Sequence, residues 1–345
     1  MALLLCGCST FVAYEIGHPG HSGDSFQSLE EMLTSIGFSH RIFRTSEGVV
    51  IAYTTAPPRA YAFTDRVKLR STQGRVSGFD SEVQFVGDPT HAKLIPAKGS
   101  VLLLHPWGGA GSLMMAWALH FSSAGYVVVA PDLRGQGRSS DAPVGYGPRE
   151  AGDIQQLVAA LRADGQLPDP LFLLGASYGG TVALFAAPEI PGVRGVVALE
   201  PYANAGAVIR RAPHSGLFGY RWLARWITPT TIDRAIDKAD HRLGLDLDAI
   251  RPDRALALTH SCTLVVRGAR DHLMQADALR RLSKLSPRAS YVEVPGENHM
   301  TLPLRTDRLF DPILRWMQSL PAVPDAASCA SLVLPKAPDK AESAP

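Results

Sequence analysis

From Val101 onward the chain alternates short, unbroken apolar runs with longer stretches of helical periodicity. The runs are Val101–Leu104, Tyr126–Ala130, Leu171–Leu174, Val193–Leu199, Cys262–Arg267 and Ser290–Val294. Strands that are apolar at every position, rather than at every second one, are covered on both faces. Between them lie predicted helices at Ser112–Ser123, Arg149–Ala163, from Tyr178 onward, Ala276–Leu285 and Leu304–Ser319. This alternation predicts an α/β fold with a mostly parallel central sheet and helices on both faces. Upstream the pattern is different: Gly48–Thr54, Val67–Arg70 and Ser81–Val86 read as a meander of strands, preceded by a short helix over Ser28–Ile36.

These patterns divide the chain into an N-terminal segment over 1–45, a main domain over 46–320 and a tail over 321–345 expected to be disordered. The stretch between Pro201 and Ser261 is too long for one strand-to-helix connection and reads as a helical cap, about residues 202–258. Its aromatics Phe218, Tyr220, Trp222 and Trp226 stand at near-helical spacing. They either seal the cap's own core or line an apolar acyl pocket.

Composition narrows the function. The 345 residues carry a net charge of +2 with 19% charged residues, and no basic block marks a nucleic-acid partner. There is no apolar run of about 18 residues, so no transmembrane helix is expected. Cys6, Cys8, Cys262 and Cys329 follow neither zinc-ligand nor disulfide-framework spacing, and Cys262 reads as a small buried hydrophobe. Leu5-Cys6-Gly7-Cys8 resembles a bacterial lipobox, in which Cys8 would be lipidated and the protein held on a membrane face outside the cytoplasm. No basic residue precedes Cys8 and the apolar stretch is short, so either the true start lies upstream or the match is accidental and the protein is cytoplasmic.

The chemistry is concentrated at the strand ends. Gly175-Ala176-Ser177-Tyr178-Gly179, directly after Leu171–Leu174, has the form of a nucleophile elbow, which exposes a serine hydroxyl on a tight strand-to-helix turn. A serine hydroxyl needs a base, a carboxylate to orient that base, and donors for the developing oxyanion. Asp271 follows the run ending at Arg267, and His299 follows the run ending at Val294, giving the chain order nucleophile, acid, base. The oxyanion donors are expected to be the backbone N–H groups of Tyr178 and Trp107, since Pro106 has none to give. His105 reads as a loop-bracing side chain.

Five segments in this order resemble the α/β-hydrolase family, in particular its esterase, lipase and serine aminopeptidase-like branch. They are His105–Gly109, Pro131–Ser139, Gly175–Gly180, Gly268–Asp271 and Gly296–His299. The resemblance implies the α/β-hydrolase fold with a cap inserted after strand 6, and carries a triad onto Ser177, Asp271 and His299 with oxyanion donors Trp107 and Tyr178. It also implies a carboxylesterase-like serine hydrolase acting through an acyl-enzyme on a small acyl substrate, with no metal or organic cofactor. Peptidase, thioesterase and acyltransferase chemistry on the same fold are alternatives, as is a non-catalytic ligand-binding protein. Three departures stand out. Pro106 replaces the glycine usual after the first histidine, His272 adjoins the acid, and Glu200 closes a strand from which some relatives supply the acid. Asp132 reads as a turn brace.

Overall fold

The computed structural model describes residues 2–20, 27–72, 75–215, 227–329 and 331–334. In chain order the elements begin with α1 (Ala2–Gly17), α2 (Gln27–Ser35), β1 (Ser39–Arg44), β2 (Val50–Ala56), β3 (Phe63–Thr72) and β4 (Arg75–Phe85). There follow β5 (Gly99–Leu104), α3 (Met115–Ser123), β6 (Tyr126–Pro131), α4 (Pro148–Ala163), β7 (Leu171–Ala176), α5 (Tyr178–Ala186) and β8 (Val193–Leu199). The insertion carries α6 (Ala205–Arg211), α7 (Pro229–Leu243) and α8 (Asp253–Leu258); β9 (Cys262–Gly268), α9 (Ala276–Ser283), β10 (Ala289–Val294) and α10 (Thr306–Ser319) complete the chain.

Eight strands form one sheet in the order β1-β2-β6-β5-β7-β8-β9-β10. It is parallel from β6 through β10, while β1 and β2 are antiparallel to their neighbours. Successive side chains of a strand point to opposite faces, and the unbroken apolar runs follow from that. Leu102 and Leu104 of β5 enter the core on the side of α4 and α5, whereas Val101 and Leu103 enter the core on the side of α3 and α10. Both faces are dry, so no position in β5 or β7 tolerates a polar residue turned to water.

The upstream strands depart from the expected meander. β3 and β4 pair only with each other, forming a separate two-stranded sheet. From Phe63 to Lys68 exposure alternates between half-buried and exposed, so one face of this hairpin rests on the helices and the other meets solvent. Asp65 on the resting face pairs with His120 of α3 at 3.0 Å and accepts a hydrogen bond from Thr306 of α10.

The N-terminal segment also has a place. Ala13 and Ile16 of α1 join Ile232, Ala235, Ile236, Ala239 and Leu243 of α7 in one core cluster. The Lys238 ammonium donates to the hydroxyls of Ser9 (2.9 Å) and Thr10 (2.8 Å). Cys8 lies within α1. The aromatics Phe218, Tyr220, Trp222 and Trp226, read from the sequence as part of the cap, lie outside the described residues.

The cysteine reading requires correction. Cys262 is not a lone buried hydrophobe: it forms a disulfide with Cys329. Two cysteines separated by 67 residues give no spacing signal, because the fold and not the local chain brings them together. The bond draws the first part of the tail onto the sheet, where Leu332 is buried in the core on the α3 and α10 side. Residues 335–345 lie outside the described part. Cross-linking a ring of this size constrains the unfolded chain, so Cys329→Ser is expected to lower unfolding free energy by about 2–4 kcal/mol. Urea denaturation of wild type with and without reductant should reproduce the difference. Equal midpoints for the oxidised wild type and the variant would show that the bond contributes nothing.

Candidate active site

The site is assembled at the carboxyl ends of β5, β7, β8, β9 and β10. Between β7 and α5 the chain reverses at Ser177, which takes a positive φ of 51° with ψ −112°. Such a conformation is costly for a non-glycine residue and persists only where its surroundings enforce it. Here the Ser177 N–H is bound to the Leu199 carbonyl at 2.7 Å. The turn is tight: a Cβ on Gly175 would run into the Gly179 carbonyl, and one on Gly179 into the carbonyls of Leu104 and His105.

Ser177, His299 and Asp271 meet in a line. The Ser177 hydroxyl lies 3.0 Å from His299 Nε2, and His299 Nδ1 lies 2.9 Å from Asp271 Oδ2. A carboxylate can only accept, so Nδ1 carries the ring proton and Nε2 is free to accept from the serine. Ser177 is 9% exposed, His299 8% and Asp271 3%.

Each partner is held from behind. Asp271 Oδ1 accepts from the N–H groups of Leu273 (2.6 Å) and Met274 (3.0 Å), which leaves Oδ2 for the imidazole. The Arg267 guanidinium clamps the same loop, donating to the carbonyls of Asp271 and Met274 and to the Glu293 carboxylate. Burial pushes the Asp271 carboxyl up, but the hydrogen bond to His299, the neighbouring Glu200 carboxyl and the charge of His299 outweigh it and hold it down at about 2. On the base side, Asn298 Oδ1 accepts from Met300 and Thr301 N–H groups, fixing the turn that presents His299.

Tyr178 follows the serine in the chain, and Trp107 packs against it. Tyr178 is the first residue of α5, so its N–H has no intrahelical acceptor. The Trp107 ring stacks on Tyr146 at 4.9 Å and meets the edge of Tyr178 at 5.0 Å. Behind Trp107 the loop is braced at both ends, since Gln136 Oε1 accepts from Gly108 N–H (2.8 Å) and Asp132 Oδ1 from Gly111 N–H (2.6 Å). Asp132 also accepts from Arg138 N–H at 2.8 Å, as befits a turn brace.

His105 is fully buried with a fixed tautomer. Its Nδ1–H donates to the Pro106 carbonyl (2.8 Å), and Nε2 accepts from Leu133 N–H (2.9 Å). Burial drives its pKa down against the Asp132 charge, so it stays neutral and holds two loops together. His272 is exposed and takes no part in the contacts to the Asp271 carboxylate.

Glu200, at the end of β8, has φ 53° and no exposure to solvent. Its Oε1 accepts from Gly268 N–H at 2.7 Å. Burial first, then the Asp271 carboxyl beside it, push its pKa up to about 10. Glu200, Asp271 and His299 have polar atoms within 4.8 Å of one another. Both ring nitrogens of His299 are committed to Asp271 and Ser177, so the group reads as a hydrogen-bond relay. Sequence reasoning missed Gln136 and Arg267. The signal for Arg267 was present, as the single charge in an otherwise apolar strand.

A cleft of about 370 Å³ lies beside the acid loop, between α6 and α9, lined by Pro201, Tyr202, Val208, Leu273, Met274 and Leu279 among others. Ser177 and His299 are not in its walls.

The alpha/beta hydrolase family profile matches residues 101–311. No curated protein sequence matches the chain. Among solved structures, an esterase of Pyrococcus furiosus is similar with a TM-score of 0.58 at 15% identity, over 88% of this chain and 94% of that one. The 2,6-dihydroxy-pseudo-oxynicotine hydrolase is similar with a TM-score of 0.57 at 13% identity, over 86% and 71%. E-2-(acetamidomethylene)succinate hydrolase gives a TM-score of 0.54 at 19% identity, over 81% and 99%. At these identities the likenesses speak to the fold. The family profile spans most of the chain, and with the eight-stranded sheet it shows that this protein belongs to the alpha/beta hydrolase family.

Proposed function

We propose that the protein is a serine hydrolase that cleaves carboxylic esters through an acyl-enzyme. The observation that carries this reading is the imidazole of His299, bonded on one nitrogen to Ser177 and on the other to Asp271. Ser177 Oγ attacks the acyl carbonyl while Nε2 takes its proton. Asp271 keeps Nδ1 protonated and stabilises the imidazolium that forms. The N–H groups of Trp107 and Tyr178 receive the oxyanion, each worth on the order of 10²–10³ in rate. The imidazolium then protonates the departing alcohol, and the same nitrogen removes a proton from the water that releases the acid. An ester is the substrate class this chemistry serves most directly, and the mutual packing of the Trp107, Tyr146 and Tyr178 rings anchors the loop that carries the Trp107 N–H. The name of the Pyrococcus furiosus neighbour, an esterase, agrees with this choice.

The test is labelling with a fluorophosphonate at neutral pH, followed by p-nitrophenyl esters of graded acyl length. Wild type is expected to label and turn over, with both lost in Ser177→Ala. A folded wild-type protein that neither labels nor turns over any ester would favour the ligand-binding alternative. Turnover of anilides or thioesters in preference to esters would move the assignment to a peptidase or a thioesterase.

A further inference from the structure

Glu200 Oε1 is satisfied by the Gly268 N–H, but Glu200 Oε2 is buried and has no donor among the described residues. As a carboxylate it would leave an unpaired anionic oxygen in a buried site, and a buried charge is costly unless it is paired or neutralised by a proton. The Asp271 carboxylate already accepts from Leu273 N–H, Met274 N–H and His299 Nδ1–H. A carboxylate has about four lone-pair positions, so about one remains. The Glu200 carboxyl lies beside it, with polar atoms of Glu200, Asp271 and His299 all within 4.8 Å of one another. Two close, buried carboxyls do not both ionise.

We propose that Glu200 is a positioning residue that keeps its proton and donates it from Oε2 to Asp271, so that the acid of the relay is held by four hydrogen bonds. The charged and titratable groups around it are Asp271 and Arg267 on β9 and the loop that follows, and His299 after β10. The neutral carboxyl fills the last lone pair of Asp271 without adding a second negative charge beside the imidazolium of the transition state. It is neither the catalytic acid nor an alternative to Asp271.

The effect on rate rests on the proposed triad, whereas the effect on stability does not. Glu200→Gln reproduces the protonated group: its carbonyl oxygen accepts from Gly268 and its amide donates to Asp271. Its kcat/KM on an ester is expected within about threefold of wild type, with an unchanged pH profile. Glu200→Leu removes the fourth hydrogen bond to Asp271 and leaves the Gly268 N–H unpaired, and its kcat/KM is expected to fall about 10- to 100-fold. The stability arm has a definite sign. In the unfolded chain Glu200 ionises above about 4.5, but in the native state it stays protonated up to about 10. Wild type therefore loses stability across that window as pH rises, and glutamine, which does not titrate, does not. The folding equilibrium constant of Glu200→Gln relative to wild type is expected to rise by up to about tenfold per pH unit between pH 5 and 9.

A flat difference over that range, or a Gln variant as inactive as Asp271→Asn, would overturn the proposal. So would inactivation by EDTA reversed by a divalent cation, which would put a metal where the proton is assigned. Should Glu200→Gln not fold, the infrared spectrum of wild type at pH 8 decides, since the absence of a protonated carboxyl band there excludes a neutral Glu200.

Discussion

Asp271→Asn is expected to lower kcat/KM on an ester by about 10⁴ while leaving the fold intact, the scale of tautomer inversion in a Ser-His-Asp relay. The structure dictates which way the new amide turns. Leu273 and Met274 both direct N–H groups at Oδ1, so the asparagine oxygen stays there and its NH₂ occupies the place of Oδ2. That NH₂ then donates to His299 Nδ1, which forces the ring proton onto Nε2, the nitrogen facing Ser177. The base has become a donor toward the group it should deprotonate. Asp271 is held well below the usual carboxylate range, so its contribution to stability is present above about 3.8 and disappears as pH falls toward 2. The variant is expected to lack this acid-side loss, measurable by denaturation at pH 2–4. A rate loss of less than about tenfold would mean that Asp271 is not the orienting group, because wrong-tautomer variants lose far more.

His299→Ala is expected to be as damaging as Ser177→Ala, each lowering kcat by about 10⁴–10⁶, with the double variant no worse than either. The two residues share one function. Without the imidazole, Ser177 keeps a hydroxyl with no acceptor for its proton. Without the hydroxyl, the imidazole has nothing to deprotonate. The residual rate should reflect binding and the Trp107 and Tyr178 donors alone. Losses that multiply in the double variant would mean that serine and histidine act independently, contrary to the 3.0 Å contact between them. Single-turnover measurement with an activated ester separates acylation from product release in each case.

The parts of the fold legible in the sequence were those in which every position answers to the same force. Leu102 to Leu104 and Leu171 to Leu174 are apolar because both faces are covered, and their run length marked strands without ambiguity. The elbow was legible because its sterics leave so few residue choices at 175 and 179. What escaped was set by distant partners. The sequence of α1 is apolar overall with no helical stripe, yet Ala13 and Ile16 find the face of α7 more than two hundred residues away. β1 is nearly all exposed and so carries no buried face to reveal it, although it pairs with β2 across its full length. The shared buried environment of Glu200 and Asp271 is likewise a product of β8 lying beside β9, which no local pattern encodes.

The bond between Cys262 and Cys329 closes a ring of chain, and both Asp271 and His299 lie inside it while Ser177 lies outside. A protease that cuts one exposed loop between these cysteines therefore separates nothing. The proposed acid and base remain on one covalently continuous body, and the clipped molecule stays in one piece until it is reduced. Disulfides persist in oxidising compartments, which are also where secreted proteases act. In such surroundings the ring would protect the pairing of acid with base against the loss of a single peptide bond.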